Sequence, residues 1–198
     1  MLADIDRSCG TCSICCKIVA VDALNKPAHQ WCVHSVPRKG CGIHGSHPDV
    51  CRVWKCGWQV MPQLDASWKP ERCGFILRNE LAGKQFVIDV DPTKPGAWRR
   101  EPYYSWIKRR ARASDLQRQQ VVVYIGPRAI GMFPDDEIDA GVLAPDEFPA
   151  LALHYRGELA RALVQIRSRT TTEILREVAG PWRPKAAFGT PGAARASP

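Results

Sequence analysis

The chain has 198 residues, a formal net charge of +8 and 45% hydrophobic residues, the balance of a globular protein rather than a disordered one. No run approaches the roughly 18–20 apolar residues of a membrane span. The opening stretch, "MLADIDRSCG", carries three charges in its first seven residues and no apolar core, so the expectation is a soluble, cytoplasmic protein without a secretory leader.

Residues 9–16, "CGTCSICC", place Cys9, Cys12, Cys15 and Cys16 within eight positions. Cys32, Cys41, Cys51, Cys56 and Cys73 follow, and the last 125 residues contain none. In a reducing compartment such a set is not a disulfide framework. Inert core cysteines would scatter along the chain, so the clustering points to metal or metal-cluster binding. Metal-bound cysteines are thiolates, which lowers the effective charge. Two zinc ions on eight thiolates leave about +4, and one four-iron cluster on four thiolates leaves about +6. Residues 1–78 are dense in Gly, Pro, His and Trp and poor in periodic apolar runs. They are expected to form an irregular module stapled by metal, with Trp31, Trp54, Trp58 and Trp68 shielding the site.

Further along, "FILRNELAGKQFVIDV" (75–90) predicts two strands about a turn near Gly83, and 121–126 with 128–133 predict a hairpin about Gly126-Pro127. Between them, Pro102 opens a helix with Tyr104, Ile107 and Ala111 on one face. Asp135, Asp136, Glu137 and Asp139 read as a solvated turn. The segment 148–167 starts with a strand's alternation and continues with a helical period. Thr170 and Glu173 fit a capping box for a helix over "ILREVAG", stopped by Gly180. The expected organisation is a metal-binding module over 1–78, an α+β part over 79–180 and a disordered tail over 181–198. The fold class is α+β: the irregular module packed on a small antiparallel sheet with helices.

Three cysteines at two-residue gaps, Cys9, Cys12 and Cys15, can wrap one loop around a single centre, as ferredoxin loops do. The ferredoxin continuation is absent, and Cys16 follows directly. Neighbouring side chains point apart, so Cys15 and Cys16 are suited to different metals or to different edges of one cluster. Zinc, iron–sulfur and Cu(I) all accept such soft ligands. The three-cysteine loop favours a cubane cluster; the number eight favours two four-thiolate zinc sites.

The spacing resembles the YkgJ-type cysteine-cluster proteins, zinc- or iron-chelating, with their C-x2-C-x2-C-C hallmark. That family continues with an isolated cysteine and then C-x-I-Y-x-x-R-P-x-x-C. Here those parts are Cys9, Cys12, Cys15 and Cys16, then Cys32, then "CGIHGSHPDVC" from Cys41 to Cys51, with Cys56 beyond. The resemblance covers about residues 9–58. It implies that these eight cysteines hold zinc or an iron–sulfur cluster, and it implies no reaction. His44 and His47 stand where the family has Tyr and Arg, so the resemblance names neither as a ligand. His34, two residues after Cys32, is the better outside candidate for a mixed Cys/His site. Cys73, in "PERCGFIL", reads as buried and inert.

The leading function is a metal-binding protein, redox-active or an accessory in metal handling. Two rivals remain. Residues 98–118 hold seven basic side chains with Trp98, Tyr103, Tyr104 and Trp106 interleaved, a stripe that could serve nucleic acid or an acidic protein partner. A solvated helix face is the favoured reading of that stripe. Catalysis in the C-terminal part is the other rival. That part lacks a phosphate-binding glycine loop, a Gly-x-Ser-x-Gly elbow and a paired-histidine zinc motif, and His154 is its only histidine.

Overall fold

The structure, a computed structural model, describes residues 7–36, 38–114, 116 and 118–188. It is mixed α and β, with small antiparallel sheets and few helices. The chain divides into two compact units: Met1–Arg78 with Val87–Arg100, and Asn79–Phe86 with Glu101–Pro198. None of the described helices is long and apolar enough to cross a membrane.

The first unit is built of short pieces: α1 (Cys15–Ile18), β1 (Ser35–Val36), β2 (Gly40–Cys41), α2 (Asp49–Val53), α3 (Gly57–Val60) and α4 (Pro70–Cys73). The longest has five residues, too short to persist on helix propensity alone. The unit does bury a core, contrary to the expectation for residues 1–78. Ile18, Leu64, Phe75 and Ile76 are each 1% exposed. They share that burial with Val87, Ile88, Val90 and Trp98, all fully enclosed. The core was missed because a third of its buried apolar residues come from 87–100, beyond the cysteine-rich stretch, and most of the rest from the aperiodic run 56–77. Residues 8–56 contribute little to it, chiefly Ile18, Val21 and Cys56.

The strands β3 (Phe75–Glu80) and β4 (Gln85–Val90) form the expected pair, joined by a 3₁₀ turn at Leu81–Gly83. In the second unit the tip of this hairpin is followed in the sheet by β5 (Gln120–Ile125), β6 (Arg128–Met132) and β7 (Glu137–Val142). Gly126 adopts φ +59° in the two-residue β5–β6 turn with Pro127, as a tight hairpin requires. A second sheet centres on β9 (Leu159–Ser168), flanked by β8 (Glu147–Arg156), β10 (Ile174–Ala179) and β11 (Arg183–Pro184). At Gly131 a Cβ would meet Val164 Cγ2 at 2.7 Å and Leu151 Cγ at 3.2 Å, so only a glycine lets β6 approach β8 and β9 this closely.

Helix α5 (Tyr103–Ala113) begins just after Pro102. Ile107 and Ala111 face inward as expected, but Tyr103 rather than Tyr104 completes the buried face. Tyr104 donates to Glu137 Oε1 at 2.5 Å.

Four expectations are corrected. The region 148–167 is two strands, most of β8 and of β9, because Gly157 (φ +55°) with Glu158 makes a two-residue turn. Partners on both sides of β9 then override the helical period. The segment after Thr170 is strand β10, not a helix: six residues make a marginal helix, whereas pairing with β9 satisfies the backbone. The carboxylates 135–139 are a solvated turn only in part: Asp135, on a bend, and Asp139 are exposed, whereas Asp136 is buried. Asp136 is 8% exposed and accepts Arg183 Nη2 at 2.9 Å, Asp135 accepts Arg112 at 2.7 Å, and Asp139 takes Arg128 side-on. Within the expected tail, Arg183–Pro184 pair with β9 and Lys185–Phe188 form a 3₁₀ turn with Phe188 buried; residues 189–198 lie outside the described ones.

Candidate metal centre

All nine cysteines are free thiols, and all belong to the first unit. Short backbone ties bring them together. Cys12 N–H donates to Cys9 O (2.8 Å), closing the first loop, and α1 then presents Cys15 and Cys16 in succession. Cys32 N–H donates to Cys16 O (2.9 Å), Ser35 N–H donates to Cys32 O (3.0 Å), and Ser35 pairs with Cys41 across β1 and β2. At Gly40 (φ +93°) a Cβ would sit 2.5 Å from Gly10 O, so the turn leading into Cys41 touches the Cys9–Cys12 loop. Cys56 precedes α3, and a Cβ at Gly57 would lie 2.5 Å from Leu77 Cβ. Gln59 then clasps two cysteines: its Oε1 accepts Cys56 N–H (3.3 Å) and its Nε2 reaches Cys9 Sγ (3.5 Å).

Cys9, Cys12, Cys15, Cys51 and Cys56 line one cavity of about 50 Å³. Trp54 and Trp58 also line it. Trp68 is buried edge-on against Phe75 (6.0 Å), and Trp31 is 53% exposed beneath the Lys17 ammonium. The expected tryptophan shield is therefore confined to two of the four at the cavity.

Burial raises the pKa of Cys12, Cys51 and Cys56 above the ordinary thiol value. Cys15 is also raised, first by donating its hydrogen bond to Cys16 and then by burial. Cys16, which accepts that bond, is lowered to about 7 against its own burial, with help from the nearby Lys26 ammonium. The pair thus holds one proton firmly and releases the other easily. Lys26 is 6% exposed; its ammonium donates to Lys17 O at 2.7 Å and to Val19 O, with Cys16, Cys32, Cys15 and Cys51 all within electrostatic reach. Lys17 points its own ammonium away, onto Asp91 at 2.7 Å. Neither lysine belongs to a recognisable sequence motif: Lys26 lies ten residues beyond Cys16, and only the folded turn at 22–25 brings it back.

Cys73 stands apart. It is fully buried, donates to Trp68 O and Phe75 O, and burial pushes it up to about 12. His44 and His47 have their rings 5.1 Å apart in the loop between Cys41 and Cys51, and His47 Nδ1 is buried without a hydrogen-bond partner. His34 is half-buried in the turn before β1.

Among the described residues, no group of three or more His, Cys, Asp or Glu side chains is drawn together tightly enough to hold a metal ion as the protein stands. The cysteines are neighbours rather than a closed shell. The donor chemistry nevertheless suits thiophilic metal: among the described residues, five cysteines and two tryptophans line one small cavity, and no Asp or Glu is among its lining residues.

The basic stripe is split between the units. Arg99 stacks on Trp98 (4.1 Å), and Arg100 donates to Cys73 O (3.1 Å). In α5, Lys108 donates to Phe133 O (2.7 Å) and Arg110 lies 3.9 Å from the Phe86 ring. Trp98 and Tyr103 are buried.

Comparison with known proteins adds little. No protein-family description matches the chain, and no solved structure matches it. A stretch of 56 residues, 28% of the chain, is 30% identical to the geranylgeranyl transferase type-2 subunit alpha of Bos taurus, and equally to that of Homo sapiens and Mus musculus. The match spans 10% of those proteins. So local a likeness does not place the chain in their family.

Proposed function

We propose that the first unit is a metal-binding module in which Cys9, Cys12, Cys15, Cys16, Cys32, Cys41, Cys51 and Cys56 hold zinc or an iron–sulfur cluster, and that the protein serves redox or metal handling in a reducing, cytoplasmic compartment. One observation supports this reading: eight free thiols from six short elements and loops lie in one unit, five of these cysteines line one cavity, and the ninth, Cys73, is sequestered against two carbonyls. Zinc bound there would be a closed structural site; an iron–sulfur cluster would carry electrons. The chain's part in either case is to gather the sulfurs, neutralise charge through Lys26 and exclude water with Trp54 and Trp58.

The test is metal analysis and absorbance of protein purified without air. A brown protein absorbing near roughly 400 nm and bleaching with dithionite identifies a cluster. A colourless protein with about two zinc ions per chain identifies zinc. Nine freely titratable native thiols and no metal, even after reconstitution, refute the reading. The nucleic-acid alternative is weakened by the burial of Trp98 and Tyr103, two of the aromatic residues that would stack bases.

A further inference from the structure

The second sheet has two unlike faces. Register pairs Leu151 with Val164, and both side chains meet β6 at Gly131, which fixes the inner face. Residues one step along each strand therefore lie on the outer face. There His154 stands opposite Arg161, Phe148 opposite Arg167, and Glu177 opposite Gln165. Trp182, one residue before β11, joins this face with its ring 4.8 Å from the Arg161 guanidinium. Of the outward positions on these strands only Leu163 is buried. The face belongs wholly to the second unit, which contains no cysteine.

Ion pairing separates the arginines of this unit. Arg128, Arg176 and Arg183, none of them on the outer face, each hold a carboxylate. Arg161, Arg167 and, at the ends of β8 and β9, Arg156 and Arg169 hold none among the described residues. Arg167 donates to Gln165 Oε1 (2.7 Å), and Arg169 lies 5.7 Å from the Phe148 ring. The Nε atoms of Arg161 and Arg167 are enclosed without a hydrogen-bond partner. The one carboxylate on the outward positions, Glu177, is taken by Gln165 Nε2 (2.8 Å). Guanidiniums left without a counter-charge on one side of a sheet repel one another, and an anion laid along the face relieves that repulsion.

Each end of the row sets a cation beside an aromatic ring, Arg161 with Trp182 and Arg169 with Phe148. Arg161 and Arg167 are six residues apart on one strand, about 20 Å. A matching ligand carries several negative charges along an extended line, together with flat groups able to stack. Single-stranded nucleic acid has both. A duplex hides its base faces, and a polyglutamate chain offers charge alone. We propose that the outer face of the second sheet binds single-stranded nucleic acid with little regard to sequence, Arg161, Arg167 and Arg169 taking phosphates while Trp182 and Phe148 stack bases. This surface is separate from the stripe at 98–118, and it does not rest on the metal-binding reading.

Fluorescence anisotropy of the full chain with a labelled twelve-nucleotide oligothymidine, from 50 to 200 mM salt, tests the proposal. Binding is expected at low salt, falling steeply as salt rises. Arg161→Ala with Arg167→Ala should weaken it by at least about tenfold and flatten the log–log salt slope by about 1.4, the share of two phosphates. Arg161→Lys with Arg167→Lys should keep that slope, which separates lost charge from lost fold. Trp182→Ala should weaken binding by about fivefold or more at an unchanged slope, as loss of a stacking partner does. Arg109→Ala with Arg112→Ala removes the same charge from α5 and should leave affinity within about twofold. No binding at 50 mM salt overturns the proposal, as does an α5 pair that matches the outer-face alanine pair. A lysine pair as damaging as the alanine pair, or a Trp182→Ala variant that binds normally, overturns it too. Equal or tighter binding of a twelve-residue polyglutamate peptide assigns the face to an acidic protein instead, and equal binding of a duplex removes the stacking role.

Discussion

Lys17 follows Cys16 directly, yet it faces the core rather than the sulfurs. Its ammonium, 8% exposed as a residue, meets Asp91 at 2.7 Å and Thr93 Oγ1 at 3.3 Å. Burial alone would raise the Asp91 pKa, but the Lys17 hydrogen bond and the Thr93 donors more than offset it and hold the carboxyl below its ordinary range. A buried pair is costly to break because the survivor is left uncompensated. Asp91→Asn is therefore expected to destabilise the first unit by about 3–5 kcal/mol. Lys17→Met combined with Asp91→Asn should cost less than Asp91→Asn alone. Because the folded-state pKa is depressed, this stabilisation is fully present above about pH 4 and is lost as pH falls through the lower folded value. Urea unfolding followed through the tryptophans, from pH 7 down to pH 3, measures both effects. A cost under about 1 kcal/mol for Asp91→Asn would show that the pair is not structural.

At the scale of elements, Gly131 sets the spacing between the two sheets of the second unit. A methyl added there would meet Val164 Cγ2 at 2.7 Å and Leu151 Cγ at 3.2 Å, both side chains locked in a filled interior. Gly131→Ala is expected to cost about 1–3 kcal/mol by overpacking. Val164→Ala makes room opposite, so the double variant should be more stable than the sum of the two single losses implies. Additive losses in thermal unfolding would mean that β6 and β9 do not set each other's spacing. Such contacts also explain what the sequence could and could not reveal. The hairpin about Gly126-Pro127 and the β3–β4 pair were legible because turn chemistry and β-branched runs agree locally. Strand β10 was not, because its decisive partner is β9 and its own Thr-Glu spacing imitates a helix start. For the candidate site, the clustering of the cysteines was legible from spacing, and the choice of eight of them rests on the family resemblance. Lys26 and Gln59 were not, since each is placed by a turn or a helix start that no local pattern announces.

For the whole chain, the location of the apolar core decides what metal should stabilise. A metal-stapled module without a core would lose everything when its metal leaves. This chain buries Val87, Ile88, Val90 and Trp98 together with Phe75 and Ile76, and of these Ile76 alone lines the cysteine cavity. Residues 8–56, by contrast, are held by helices of four and five residues and a two-stranded pair two residues long. Stripping bound metal with a strong chelator under reducing conditions is accordingly expected to open residues 8–56 alone. Amide exchange should accelerate by at least about a hundredfold in Cys12–Cys56, and the thiols there should become reactive. The amides of β3 and β4 and of the second unit's strands should keep most of their protection. Cys73, enclosed by Trp68 and Phe75, should stay unreactive throughout, which separates local opening from global unfolding within one measurement. Simultaneous loss of protection over 8–100 would show that the hairpin base cannot hold its core without the metal. Unchanged exchange over 8–56 would show that the cysteine loops fold on their own contacts and that metal, where bound, serves chemistry rather than structure.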